Sequence, residues 1–349
     1  MTYSISISAQ KERQVKDTKS IPFGKQPTEH MFIAEYRDGQ WQNSRIVPFH
    51  ELTMSPFALC LHYGQTIFEG MKAFHMNDGH INIFRIDKHY ERFLKSAQRM
   101  CMPEVPKGLF TEALHQLVQL DGAWIPEEAD GSLYIRPFMI ASEERLGVKV
   151  ADEYIFMVVC TPAYQYYNKP LRVIVEDTYV RAADGGTGST KCGGNYGGAF
   201  YPTQMARNAG YDQVIWTDSK NHEYIEESGT MNLMFCIDGV LTTPGLSGTI
   251  LDGVTRDSLL TIAKGMGIKT AVRSVSKTEL QEALQAGKRV EAFGAGTAAV
   301  IAPIETIAIG GKEYNCYIGE DATMYQLQKA LYDIRRGSAT DNYNWNYII

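Results

Sequence analysis

A single lysine, Lys191, lies in the middle of a glycine-rich stretch, GGTGSTKCGGNYGGAF, which runs from Gly185 to Phe200. A glycine-rich run with a lysine is typical of a phosphate-binding loop, whose pattern is G-x-x-x-x-G-K-[ST]. Here Thr190 precedes the lysine, Cys192 follows it, and more glycines delay any helix. A loose match to G-x-G-x-x-G lacks the strand, turn and helix of a dinucleotide site. The spacing therefore argues against a nucleotide phosphate loop.

The second interpretation makes Lys191 itself the reactive group. Small neighbours let a flat ligand approach the backbone, and desolvation lowers the pKa of an amine so that it can attack a carbonyl. These are the requirements of a lysine that forms a Schiff base with pyridoxal phosphate. The stretch alone favours the more common case, a surface lysine in a flexible loop. Cys192 is a weaker candidate nucleophile, because no histidine lies near it in sequence.

Three motifs downstream of the lysine have the residue types that such a cofactor requires. YIEESGTMNLMF places Glu226 beside Glu227, and at most one of them can point into a shared pocket, because neighbours on a strand face opposite ways. LDGVTRDS starts a helix at residues 253–255, where free backbone N–H groups suit a phosphate. FGAGTAAVIAP adds a small-residue turn with the hydroxyl of Thr297. Each motif has a purely structural explanation, but together they predict a site for an anion and a ring.

The ordered motifs resemble those of the branched-chain amino acid aminotransferases, which are class IV (fold type IV) pyridoxal-phosphate enzymes. The motifs are HYGQTIFEGMKAF, IFRIDKHYERF, LYIRPF, TKCGGNY, EESGTMNLMF, LDGVTRDS and GAGTAA. The resemblance runs from about FGKQPTEHM to the final helix. It implies ping-pong transamination between L-leucine, L-isoleucine or L-valine and 2-oxoglutarate, which gives branched 2-oxo acids and L-glutamate.

The resemblance implies a set of cofactor contacts. Lys191 would bind pyridoxal 5'-phosphate covalently and carry the proton between the substrate Cα and the cofactor. Glu227 would face the pyridine nitrogen, and Tyr196 would hydrogen-bond the phenolic oxygen. Arg85 would pair with the phosphate, since a guanidinium fork suits its geometry. The remaining phosphate and ring contacts would come from Val254, Thr255, Thr297 and Thr230.

The resemblance also implies a substrate pocket. Its apolar wall would consist of Tyr63, Phe68, Tyr134 and Tyr166. Backbone N–H groups of Thr297 and Ala298 would bind the α-carboxylate, and Arg136 would help to accept the second carboxylate of glutamate. Leu146, Gly147 and Val148 would come from the other subunit, so the resemblance implies a homodimer. Animal members carry a redox-active CxxC after the GTA turn; this chain has Ala299 and Ala302 there, so that thiol control is not expected.

The elements around these motifs predict an α+β protein of two domains, because strands and helices mix without regular βαβ alternation. Residues 1–161 would form a smaller N-terminal α/β domain that includes a loose arm over residues 1–20. TPAYQYYNKP predicts an interdomain linker over residues 162–170. Residues 171–349 would form a larger, β-barrel-like domain with helices that carries the lysine. Asp87 and Ser276 are predicted helix caps, and a helix is predicted over residues 202–210.

The composition excludes several classes of protein. The chain of 349 residues has a formal net charge of −6, which argues against a nucleic-acid binder. No secretory signal or membrane span is predicted. The six cysteines lack metal-ligand or redox spacing, which predicts reduced thiols and no metal site. We expect a cytoplasmic protein with small-molecule substrates.

Two alternatives use the same lysine and glutamate, namely a D-amino acid aminotransferase and a 4-amino-4-deoxychorismate lyase. The YIRP and HYGQTIFEGMKAF motifs favour the branched-chain enzyme over both. A nucleotide-binding module is an alternative of another class, but the GK[ST] sequence that it needs is missing. A non-catalytic scaffold would leave the ordered motifs unexplained.

Overall fold

The computed structural model describes residues 4–8, 19 and 21–349. In chain order the described strands are β1 (Ser6–Ile7), β2 (His30–Arg37), β3 (Gln40–Pro48), β4 (Thr66–Phe68), β5 (Met71–His75), β6 (Ile81–Phe84), β7 (Ser132–Ala141), β8 (Tyr154–Ala163), β9 (Leu171–Val175), β10 (Gln213–Thr217), β11 (Ile225–Ser228), β12 (Met231–Ile237), β13 (Val240–Thr243), β14 (Lys269–Val272), β15 (Val290–Gly296), β16 (Val300–Ile309), β17 (Lys312–Asn315) and β18 (Asn346–Ile348). The described α-helices are α1 (Leu59–Tyr63), α2 (Ile86–Arg99), α3 (Lys107–Leu120), α4 (Gly194–Asn208), α5 (Val254–Gly265), α6 (Lys277–Gln285) and α7 (Thr323–Arg336). None of these helices is long and apolar enough to cross a membrane.

The contacts divide the chain into two compact units. The first comprises Met1–Tyr166, Lys191–Gly194 and Arg335–Ile349, and the second comprises Tyr167–Thr190 and Asn195–Ile334. The division differs from the predicted domains, since the lysine and the C-terminal segment belong to the first unit. Backbone pairing explains the difference: Gly193 donates to the carbonyl of Thr66, the first residue of β4, and β18 pairs with β6.

The sheet of the first unit contains nine of the described strands. Their order is β1-β3-β2-β8-β7-β5-β6-β18, with β4 beside β7. Along β7, Ile135 and Met139 are completely buried in the hydrophobic core. Because side chains alternate along a strand, Tyr134 and Arg136 lie on the opposite face. Two of the predicted substrate residues therefore share one face of this sheet.

Aromatic rings form the centre of the first unit's core. The rings that pack together are Phe32, Phe93, Phe110 and Phe156. Two come from the strands β2 and β8, and two come from the helices α2 and α3. All four side chains are completely buried, so they fix the two helices against the sheet.

The second unit contains a closed barrel. Its strands follow the order β11-β10-β9-β16-β15-β12, and β12 pairs back to β11. β13 and β14 extend the sheet beyond β12, and β17 pairs with β16. The barrel beside mixed helices and strands confirms the predicted α+β fold class with a β-barrel-like C-terminal part.

Two of the predicted helix starts are wrong. α2 begins one residue before Asp87, and its N-cap is Arg85, which has a left-handed backbone (φ 56°). α4 begins at Gly194, eight residues before the predicted helix, so the glycines after Lys191 do not delay it. The Asn195 side chain donates to the carbonyls of Thr187 and Thr190 at 2.8 and 2.7 Å. These bonds hold the start of α4 in spite of the low helix propensity of glycine.

The structure also bears on the predicted cap at Ser276 and on the predicted N-terminal arm. The Ser276 cap of α6 is confirmed, because its hydroxyl accepts from the backbone N–H of Glu279 at 2.9 Å. Part of the predicted loose arm over residues 1–20 is instead a strand, since Ser6–Ile7 pairs in parallel with β3. Residues 1–3, 9–18 and 20 of that arm lie outside the described residues.

Candidate active site

The backbone around Lys191 adds a short segment beside β4. The carbonyl of Lys191 accepts from the N–H of Phe68 at 3.0 Å, and its N–H donates to Ser96 Oγ at 3.0 Å. A Cβ at Gly193 would lie 2.4 Å from Thr66 Oγ1, so only glycine allows this close approach. The glycine after the lysine therefore fits the segment against the sheet of the first unit.

The amine of Lys191 lies over an aromatic ring. Its Nζ is 4.7 Å from the centroid of Phe68. Burial and, to a smaller extent, the nearby Arg92 guanidinium lower the pKa of Lys191 to about 8, although Glu69 acts in the opposite direction. A neutral amine near pH 8 can act as a nucleophile or a base, as the interpretation from sequence requires.

Arg136, Phe68 and Tyr134 form one wall on the sheet face of the first unit. The Arg136 guanidinium lies 4.7 Å from the Phe68 ring centroid and donates to Tyr134 Oη at 3.2 Å. Phe23 joins this wall, with its ring centroid 5.0 Å from Tyr134 and 5.2 Å from Tyr166. The structure thus brings Lys191 together with four predicted substrate residues through direct or successive contacts. Phe23 was missed from sequence, although it opens the FGKQPTEHM motif.

A cavity of about 400 Å³ lies against this wall. It is lined by Phe23, Gly24, Lys25, Pro27, Phe49, Tyr134, Arg136, Val159, Cys160 and Thr161. Most of these residues are apolar or aromatic, so the cavity suits a small aliphatic group.

The other predicted residues of the first unit make different contacts. The Tyr63 hydroxyl donates to the backbone carbonyl of Leu146 in the same chain. Leu146 and Val148 are exposed by 50% and 77%, which leaves both available to a second molecule. The guanidinium of Arg85 lies 4.6 Å from the ring centroid of Trp345.

A buried charged cluster beside Lys191 was also missed from sequence. Arg92 donates to both carboxylate oxygens of Glu69 at 2.6 and 2.8 Å, and His89 Nδ1 lies 2.8 Å from the same carboxylate. His89 and Arg92 are three positions apart on α2, which places them on one helix face. That spacing, with a glutamate in the otherwise apolar TIFEG run, is the signal that sequence reasoning could have used. The cluster ties the end of β4 to α2.

Glu69 is expected to be important for stability. Burial alone would raise its pKa, but Arg92 and His89 outweigh burial and hold the pKa well below the usual value. Glu69→Gln should lower the free energy of unfolding at pH 7 by about 3–5 kcal/mol, because it leaves a buried guanidinium without its carboxylate. The stabilising effect is present above the usual carboxyl pKa near 4.5 and is lost as pH falls toward the lowered pKa of the folded state. Denaturant unfolding should therefore show a smaller difference at pH 3.5 than at pH 7, with the exposed Glu91→Gln on α2 as the control. An equal loss of stability in the two variants would contradict this role.

In the second unit, an ion pair and two hydrogen bonds hold Glu227. Arg181 Nε lies 2.8 Å from one carboxylate oxygen, and the other oxygen accepts from the Asn232 side chain at 2.9 Å and the Leu251 N–H at 3.1 Å. Arg181 was missed from sequence; it also donates to the backbone carbonyl of Thr249. The carboxylate of Glu227 is thus fixed in direction by one ion pair and two hydrogen bonds.

Glu226, the neighbouring carboxyl, has different contacts. One oxygen accepts from the Thr249 hydroxyl, and the other has no hydrogen-bond partner among the described residues. Burial raises the pKa of Glu226. The two adjacent glutamates therefore lie in different environments, as their positions on a strand require.

Asn232 connects Glu227 to two other predicted positions. In the barrel, Asn232 pairs with Ala295, the penultimate residue of β15, so the turn between β15 and β16 lies at the same end as Glu227. Thr297 and Ala298 form that turn, and both are partly buried. The turn between β11 and β12, which contains the exposed Thr230, lies at this end too.

The start of α5 also meets Asn232. A Cβ at Gly253 would lie 1.7 Å from the Asn232 side-chain oxygen, so a larger residue here would displace the Asn232 side chain. Gly253 is the N-cap and has no side-chain cap, while Val254 and Thr255 in the first turn are buried. Tyr196 lies in the first turn of α4. The barrel end therefore combines a fixed carboxylate with a helix N-terminus that favours anions.

Comparisons with known proteins agree with this arrangement. The family model for class IV amino-transferases matches residues 66–307. The chain is 42% identical to the branched-chain-amino-acid transaminase 1 of Bacillus subtilis (strain 168) over 95% of each chain.

Solved structures of branched-chain aminotransferases are also similar to this chain. The branched-chain aminotransferase of Thermoproteus uzoniensis, solved with norvaline, is 26% identical with a TM-score of 0.75, over 91% of this chain and 99% of that one. The branched-chain aminotransferase of Thermobaculum terrenum in its PLP form, 22% identical, has the same fold with a TM-score of 0.77, over 92% and 98%.

Proposed function

The chain belongs to the class IV aminotransferase family, and we propose that it transfers the amino group between L-leucine, L-isoleucine or L-valine and 2-oxoglutarate. One observation supports this choice most strongly. The amine of Lys191 lies over Phe68, and the same ring contacts Arg136 at the edge of an apolar, aromatic cavity. Such a cavity can hold a branched aliphatic side chain, and the Arg136 guanidinium can bind the second carboxylate of glutamate.

The proposed cofactor is pyridoxal 5'-phosphate, on which class IV aminotransferases depend. The residues fit this group, since Lys191 has a lowered pKa, Glu227 is a fixed carboxylate, and α5 begins at an uncapped N-terminus. When bound, this cofactor supplies an aldehyde for the amino group and a ring that withdraws electrons from the substrate Cα. The proposed phosphate contacts are Arg85, Val254, Thr255 and Thr297.

Each protein group then has a proposed task. Lys191 would remove the proton from the substrate Cα and donate it to the cofactor, and it would carry a proton the opposite way in the second half of the reaction. Glu227 would keep the ring nitrogen of the cofactor protonated, Tyr196 would hydrogen-bond its phenolic oxygen, and Thr230 would support the ring environment. Backbone N–H groups of Thr297 and Ala298 bind the α-carboxylate. The branched 2-oxo acid would leave before 2-oxoglutarate binds, with the amino group kept on the cofactor, so the kinetics would be ping-pong.

The assembly and location belong to the same proposal. We propose a homodimer in which Leu146, Gly147 and Val148 reach the site of the second subunit. Exposed apolar side chains in the first unit support an interface that the second subunit would cover. They are Leu61, Tyr63, Leu146 and Val148. We propose a cytoplasmic location, which agrees with six cysteines that are all free thiols.

A substrate panel tests this function. Purified holoenzyme should be yellow and should transaminate L-leucine, L-isoleucine and L-valine with 2-oxoglutarate. D-alanine should be turned over at least about 10²-fold more slowly, because the pocket would have to reject a substrate of opposite chirality at Cα. Faster turnover of D-alanine than of L-leucine would contradict the branched-chain assignment.

A further inference from the structure

A tight turn near the N-terminus brings a lysine to the cavity described above. The N–H of Lys25 donates to the carbonyl of Pro22 at 3.1 Å, which closes a four-residue turn. Gly24 has φ +74°, which is the third-position geometry of a type II turn and favours glycine. The PFGK sequence therefore fixes this turn locally.

The turn presents two side chains to the cavity. Phe23 packs edge-on against Tyr134 and Tyr166, which anchors the turn to the wall of the first unit. Lys25, two residues on, is exposed and lines the same cavity. Anchoring by Phe23 therefore keeps Lys25 at this cavity.

The charged groups of this cavity all have one sign. Arg136 and Lys25 are its cations, and no aspartate or glutamate is among the lining residues. The buried Nε of Arg136 has no hydrogen-bond partner in the described part of the chain. An unpaired buried donor and a second cation favour a ligand that has an aliphatic body and an anionic end.

We propose that Lys25 is a specificity-determining residue that favours dicarboxylate substrates over branched aliphatic ones. The proposal rests on the function proposed above, in which one pocket must accept both an apolar side chain and a second carboxylate. Arg136 offers a planar fork beside Tyr134, and Lys25 adds a point charge at the exposed side. Because Lys25 is solvent-exposed, its effect should be modest and should weaken as the salt concentration rises.

Lys25→Met removes the charge and keeps the aliphatic stem. With L-isoleucine as the donor, kcat/KM for 2-oxoglutarate should fall about threefold to tenfold, while kcat/KM for 4-methyl-2-oxopentanoate stays within about twofold. Lys25→Arg should retain most of the preference. Lys264→Met, which removes an exposed charge on α5, is the matched control and should change neither value.

Binding without turnover gives a second readout. Glutarate should raise the melting temperature of wild-type holoenzyme, and Lys25→Met should reduce that shift without reducing the shift caused by 4-methylpentanoate. The role of Lys25 would be overturned if Lys25→Met changed kcat/KM equally for both acceptors or left kcat/KM for 2-oxoglutarate unchanged. If wild-type enzyme transaminated neither acceptor, the proposed function would be wrong, and the two ligand-induced shifts would still decide whether Lys25 binds a carboxylate.

Discussion

Replacing Lys191 with alanine is expected to lower transaminase turnover by about 10³-fold or more, because one amine provides both the covalent attachment and the proton transfer. The contacts of Lys191 support this role. The backbone of Lys191 is held between Phe68 and Ser96, which directs its amine over the Phe68 ring. Lys191→Arg should be equally inactive, since a guanidinium stays protonated. Lys264→Ala should keep full activity.

The lowered pKa of Lys191 adds a pH dependence to this prediction. The amine is mostly protonated below its pKa of about 8 and mostly neutral above it. Uptake of pyridoxal phosphate by cofactor-free protein should therefore speed up as pH rises through about 8 and level off above it. A rate that kept rising toward the ordinary lysine value of 10.5 would show that the amine is not desolvated.

Replacing Glu227 with glutamine is expected to lower kcat by about 10²–10³-fold, since it removes the one charge that would hold the ring nitrogen protonated. Asn232 and Leu251 can still donate to an amide oxygen, so the side chain should keep its direction. The ion pair with Arg181 is lost, and a drop in stability should accompany the drop in rate.

Glu226→Gln is the matched control for this substitution. Glu226 is the adjacent residue, it is also buried, and burial raises its pKa, so an uncharged amide resembles the form that burial favours. Its kcat should stay within about threefold of wild type, on the scale of changes outside the reacting groups. Steady-state kinetics gives kcat for both variants. A larger loss of kcat in Glu226→Gln than in Glu227→Gln would reverse the roles of the two glutamates.

The sequence was most informative where a local pattern determines local structure. The capping box at Ser276 depends on four consecutive residues, and it was confirmed. The ordered motifs predicted the family correctly, because each motif keeps its residue types in a short stretch. The roles of the separate site residues stay predictions, which the substitutions above test.

Long-range contacts were not predictable in the same way. α4 begins among glycines because Asn195 bonds to two carbonyls of the preceding loop, and helix propensity does not contain that information. Lys191 belongs to the first unit because its backbone pairs with β4, which is more than a hundred residues earlier. Arg181 and the Glu69 cluster were missed for the same reason, since their importance lies in partners that are distant in sequence.

Identifying the lysine that binds pyridoxal phosphate covalently is the most direct test of the role proposed for Lys191. Holoenzyme is reduced with borohydride, digested and analysed by mass spectrometry, with Lys191→Ala treated in parallel. We expect a phosphopyridoxyl adduct on Lys191 in wild-type protein and none in the variant. An adduct on another lysine, or a yellow Lys191→Ala protein with full turnover of L-leucine, would contradict it.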